Sequence, residues 1–103
     1  MSPQIPIDHA QIEAFCQKWK ITELSLFGSV LREDFRDDSD VDVLVTFAPD
    51  SHWTIFDFIH CERELKQLLG REVDLVERIA IVRSQNYIRR KAILSSTQTI
   101  YAA

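Results

Sequence analysis

Leu26-Phe27-Gly28-Ser29-Val30-Leu31-Arg32 and Asp40-Val41-Asp42-Val43-Leu44-Val45 are two halves of one stretch, with ten residues between Ser29 and Asp40. The first half ends an apolar run on a Gly-Ser pair; the second sets two carboxylates, one residue apart, at the head of another apolar run. Glycine permits close backbone approach, and a helix starting at Ser29 would aim free N–H groups and the Ser29 hydroxyl at an anion. Successive side chains of a strand point to opposite faces, so Asp40 and Asp42 are expected on one side while Val41 and Val43 face the core. Two carboxylates so placed repel each other unless a cation sits with them. They suit a hard ion such as Mg²⁺, which takes oxygen ligands and keeps waters that a phosphate can replace.

Working outward, Asp8 and Gln11 resemble a capping box, and Ile12, Phe15, Cys16 and Trp19 follow at helical spacing, predicting a helix over about residues 8–20. Ile21 to Phe27 is rich in β-branched and bulky residues and predicts a strand that delivers Gly28 and Ser29 to its C-terminal end. The polar segment from Asp34 to Ser39 predicts a loop, after which Val41 to Phe47 forms a second strand ended by Pro49. Ile55, Phe58, Ile59, Leu65, Leu68 and Leu69 mark a helix over 54–69, with Gly70 in the position of a C-terminal cap. Glu72 to Val76 alternates as a third strand, Ser84 to Leu94 is helical and carries Arg89, Arg90 and Lys91, and Thr97 to Tyr101 forms a short last strand. This order predicts a compact α/β or α+β domain, a small sheet covered by helices. The pattern does not give strand direction.

With 103 residues the chain matches a single domain, 1–103. Its formal net charge of -4 argues against long-range attraction to a nucleic-acid backbone, which requires a clustered positive surface. The start, Met1 to Pro6, lacks the charged and apolar segments of a signal peptide, and no stretch approaches the roughly 20 apolar residues of a membrane span, so a cytoplasmic protein with no membrane contact is expected. Cys16 and Cys61 stand in helical patterns without metal-ligand spacing and are expected to be reduced and partly buried. His9, His52 and His60 are dispersed and complete no catalytic set.

A two-metal site usually needs a third carboxylate. Asp74, between the core-type Val73 and Leu75, is the best candidate, although a charge that blunts an edge strand explains it nearly as well. A solvated acidic loop accounts for Asp34, Asp37 and Asp38, but poorly for Asp42 inside Val-x-Val-Leu-Val. A calcium loop from Asp38 fails, because Val43 and Pro49 stand where glycine and glutamate are needed. Arg32 suits either an ion pair with the acidic loop or a phosphate contact. Arg89, Arg90 and Lys91 suit a solvated helix face better than a contact to RNA or an acidic partner, and Trp19, Trp53 and Phe56 suit core or lid positions better than base stacking.

At Gly28, Ser29, Asp40 and Asp42 the chain resembles the nucleotidyltransferase superfamily that includes DNA polymerase β, and within it the minimal nucleotidyltransferases, antitoxins often encoded beside a HEPN-domain partner. The family pattern Gly-Ser-x-Ala-Arg-Gly is met at Gly28, Ser29 and Arg32 and departs at Leu31 and Glu33. The resemblance implies a nucleotidyltransferase fold with a small mixed sheet. It also implies that Gly28 and Ser29 hold the β- and γ-phosphates with Arg32 nearby, and that Asp40, Asp42 and Asp74 bind Mg²⁺, Asp74 also serving as base. The implied reaction is transfer of AMP from ATP to a hydroxyl, a tyrosine in the usual case, of a HEPN-type toxin ribonuclease, the two proteins forming a hetero-oligomer that meets nucleic acid only indirectly. Two alternatives are an antitoxin that neutralises by binding alone and a nucleotidyltransferase acting on a small-molecule hydroxyl.

Overall fold

The computed structural model describes residues 5–33, 35–36 and 38–103. The expectations for Met1 to Gln4, Asp34 and Asp37 lie outside the described residues. Helix α1 (His9–Lys18) starts where Asp8 accepts hydrogen bonds from the backbone N–H groups of Ala10 and Gln11, at 3.1 and 3.2 Å. It stops two residues before the expected end, where Lys20 turns to φ 55 and redirects the chain into β1 (Ile21–Phe27). Gly28–Leu31 forms one 3₁₀ turn instead of the expected helix, too short to present a helix dipole to an anion. Strand β2 (Val41–Phe47) follows.

Helix α2 (Ile55–Leu69) begins on a reciprocal cap: Thr54 N–H donates to Asp57 at 2.8 Å, and Asp57 N–H donates to the Thr54 hydroxyl at 3.2 Å. It ends at Gly70, whose φ of 68 lets its N–H reach Lys66 O at 2.8 Å. Then come β3 (Val73–Glu77), α3 (Arg78–Val82), α4 (Tyr87–Leu94) and β4 (Thr97–Ala102). The short α3 was not foreseen, and α4 starts three residues later than expected, because Asn86, not an earlier residue, caps it by accepting from Arg89 N–H at 3.0 Å.

The sheet has the order β3-β2-β1-β4, with β1 antiparallel to both β2 and β4 and β2 parallel to β3. It is therefore mixed, as the resemblance implies. The parallel pair exists because α2 carries the chain back across one face between β2 and β3. On that face Ile12, Phe15 and Cys16 of α1 and Cys61 and Leu65 of α2 pack against Leu24, Leu26, Val41, Val43, Val45, Val73 and Leu75. On the other face a smaller cluster of Phe27, Leu44 and Ile81 is closed by Val76, Ile93 and Leu94.

Both cysteines are free and fully buried, more deeply than expected, and burial pushes each thiol up to about 12, which removes them from thiolate chemistry. Trp19 and Trp53 meet edge to face at 5.3 Å and are half-buried. Phe56 departs from the expected core or lid position: it is 72% exposed, beside Ile55 at 67%. Among the described residues, no helix is long and apolar enough to cross a membrane.

Candidate functional site

Register builds the site. Phe27, the last residue of β1, pairs with Asp42 of β2, and Asp42 pairs with Asp74 of β3. Laterally paired residues project to the same face, so Phe27, Asp42 and Asp74 form one row across three strands, on the face away from α1 and α2. Strand pairing sets adjacent backbones about 4.8 Å apart, which makes the two carboxylates close neighbours.

Gly28 follows Phe27 and lies against Asp42. Its φ is 76, and a Cβ added there would collide with Asp42 Oδ2 and stand 3.3 Å from Cγ. Glycine is thus required twice, once by the left-handed backbone and once by the carboxylate packed over it. Ser29 and Val30 continue the 3₁₀ turn, which closes where Arg32 N–H donates to Ser29 O at 2.9 Å.

Asp42 is half-buried, and its carboxyl titrates above the ordinary carboxylate range. Burial is the largest cause, followed by repulsion from Asp74 and Asp40, while Arg32 pulls the other way. All four residues therefore share one electrostatic environment. Asp40 and Asp74 are exposed, and among the described residues no three His, Cys, Asp or Glu side chains close around a single point. The set is an open one: two carboxylates in fixed register and a third on the loop before β2. Because β2 begins at Val41, the expected alternation does not fix the direction of Asp40. The donors are all oxygens and mutually repelling, which fits a hard divalent cation that retains waters.

Phe27, Gly28, Ser29, Arg32 and Asp42 line a cleft of about 370 Å³ whose opposite wall is Ala92, Ile93 and Ser96. That wall was missed from sequence, since it carries no charged pattern and joins Ala92 and Ile93 of α4 to Ser96 in the link to β4. A larger cleft, about 520 Å³, lies at the far end of β2 between Trp53, Ile55, Phe58 and Ile79. Size does not select it, because none of the candidate carboxylates lines it. On α4, Arg90 donates to Ser84 O at 3.2 Å and lies over the Tyr87 ring at 5.5 Å, a local structural role, while Arg89 and Lys91 are exposed.

The family model for the nucleotidyltransferase domain matches residues 10–98. A protein adenylyltransferase, MntA, of Thermococcus cleftensis is 40% identical over 60 residues, an alignment that takes in 58% of this chain and 59% of that protein. The fold is shared with a crystal structure of a toxin–antitoxin with AMP-PNP, at TM-score 0.68 and 21% identity over 94% of this chain and 75% of that one. It is shared also with a structure of a tri-AMPylated Shewanella oneidensis HEPN toxin in complex with its MNT antitoxin, at TM-score 0.59 and 22% identity over 92% and 70% of the two chains.

Proposed function

Because the chain belongs to the nucleotidyltransferase domain family, we propose that it is the antitoxin of a HEPN/MNT-type pair, a protein adenylyltransferase that moves AMP from ATP to a tyrosine hydroxyl of its HEPN-type toxin. The observation that carries this reading is the row Phe27, Asp42 and Asp74 with Gly28 folded against the Asp42 carboxylate. The name of the Thermococcus relative supports the activity, and the two toxin–antitoxin structures support the partner and the nucleotide.

In this reading Gly28 and Ser29 hold the β- and γ-phosphates at the open backbone of the 3₁₀ turn, and Arg32 offsets their charge. Ala92, Ile93 and Ser96 form a short, uncharged wall that excludes water from one side of the nucleotide. Asp42, Asp74 and Asp40 would hold Mg²⁺, which when bound would supply positive charge to offset the charge of the reacting phosphate. Asp74, exposed on the edge strand, accepts the proton of the acceptor hydroxyl. A new bond forms between that oxygen and the α-phosphorus, the α–β bridging P–O bond breaks, and pyrophosphate departs with the bonding pair.

The test is an incubation of the chain with its HEPN-type partner, ATP and Mg²⁺, followed by intact-mass measurement of the partner. An added AMP mass that disappears with Asp42→Asn is the expected result. Neutralisation of the toxin by the wild-type chain with no change in mass would overturn it in favour of inhibition by binding alone.

A further inference from the structure

Arg71 stands in the turn between the Gly70 cap of α2 and the start of β3, half-buried, and it reaches away from both elements. Its Nη2 donates to Arg36 O at 2.7 Å and lies 3.4 Å from Ser39 O. Its guanidinium lies over the Phe35 ring, 4.4 Å from the centroid. The turn it grips is also closed on itself, since Ser39 N–H donates to Arg36 O and Arg36 N–H donates to the Ser39 hydroxyl, each at 3.1 Å. Directly beyond, Val41 N–H donates to Glu72 O at 2.9 Å. Asp40 is thus bracketed: Arg71 holds the residue before it, and Glu72 holds the residue after it.

We propose that Arg71 is a positioning residue that restrains Asp40 at the entry to β2 for divalent-cation binding together with Asp42, acting through Arg36 and Ser39 and touching neither ion nor substrate. The proposal rests on the reading of Asp40 as a metal ligand. Asp40 is exposed on the segment that precedes β2, two residues from the like-charged Asp42, and repulsion between the two favours its drifting away in the absence of a restraint. A planar guanidinium suits that restraint, because one of its nitrogens, Nη2, reaches the carbonyls of both Arg36 and Ser39 while its face packs on the Phe35 ring. An ammonium offers a single point and no stacking face.

The test is Mn²⁺ binding by the full chain, followed by the electron paramagnetic resonance signal of the free ion, with no nucleotide and no partner. Arg71→Gln is expected to weaken Mn²⁺ binding by about 10-fold, the low end for residues that orient a ligand from behind. In an Asp40→Asn background the same substitution should add nothing, because the ligand it positions is gone; an effect of loop stability alone would be equal in both backgrounds. Equal weakening in the two backgrounds, or none in the wild-type one, overturns the role of Arg71. Should Asp40→Asn leave Mn²⁺ binding unchanged while Asp42→Asn weakens it, the reading of Asp40 fails, and with it this proposal. Arg71→Lys keeps charge and stem in case Arg71→Gln does not fold; a partial loss is expected, and unaltered binding would overturn the role.

Discussion

On the face covered by α1 and α2, the sheet is closed by a continuous apolar core running from Ile12 and Phe15 through Leu24, Leu26, Val43 and Val45 to Cys61 and Leu65. On the opposite face the cover is thin: Phe27, Leu44 and Ile81 are buried, and beyond them the same strands present Asp42 and Asp74. Both faces are built from the same sheet by the alternation of one residue in, one residue out. The difference shows how a small domain divides its work. One face supplies the stability that lets the other keep mutually repelling carboxylates half-exposed, a local cost typical of functional sites.

The comparison breaks most sharply at Asp42. Asp42→Asn is expected to reduce the proposed AMP transfer by more than the roughly 100-fold upper range seen for residues that merely orient a metal ligand, while leaving the fold intact. Next in size, Leu65→Ala should lower unfolding free energy by about 2–5 kcal/mol, measured by urea denaturation, whereas Ile81→Ala on the thin face should fall at or below the bottom of that range. Equal losses would mean that the two faces contribute alike.

A narrower contrast comes from the two left-handed glycines. Gly70→Ala has open space around the added methyl, so only backbone strain of about 1–2 kcal/mol is expected, with transfer retained. Gly28→Ala carries similar strain and drives a methyl into Asp42; it should lose transfer as well as stability. Activity assays beside thermal melts separate the two.

The smallest effect is the pH dependence of the metal-free chain. Asp42 titrates above its unfolded value, so the native state holds that proton more tightly, and stability should fall as pH rises from the ordinary carboxylate value, about 3.9, through the raised native one. Asp42→Asn should remove this decline, and Mg²⁺ should reverse it in the wild type by binding the native state. Melting temperatures across pH with and without Mg²⁺ check both signs; a wild-type profile that matches Asp42→Asn would show that Asp42 carries no electrostatic penalty.

Much of the architecture was legible locally. The apolar spacing of α2 and the stop at Gly70 fix that helix within a few residues, because periodicity and caps act over one or two turns. The Gly28-Ser29 and Asp40-x-Asp42 spacing likewise singled out candidate residues, and the structure packs Gly28 against the Asp42 carboxylate. What local rules missed has a common cause. The five-residue α3 is too short for its own periodicity to be read, and it is held by contacts from elsewhere, such as the Arg78 to Glu23 ion pair at 3.0 Å. The Ala92, Ile93 and Ser96 wall gains its role only from where α4 docks.

By itself, then, the sequence determined the four strands and the helices α1, α2 and α4, and which strands bear carboxylates beside a glycine turn, because those outcomes depend on neighbours a few residues apart. The tertiary structure decided that β2 and β3 run parallel and β1 antiparallel to β2, and hence that Asp42 faces Asp74 and Gly28 closes on Asp42. Asp74 lies 32 positions from Asp42 along the chain. Its place in the site depends on the register of two strands joined through α2, a distance over which no local pattern operates.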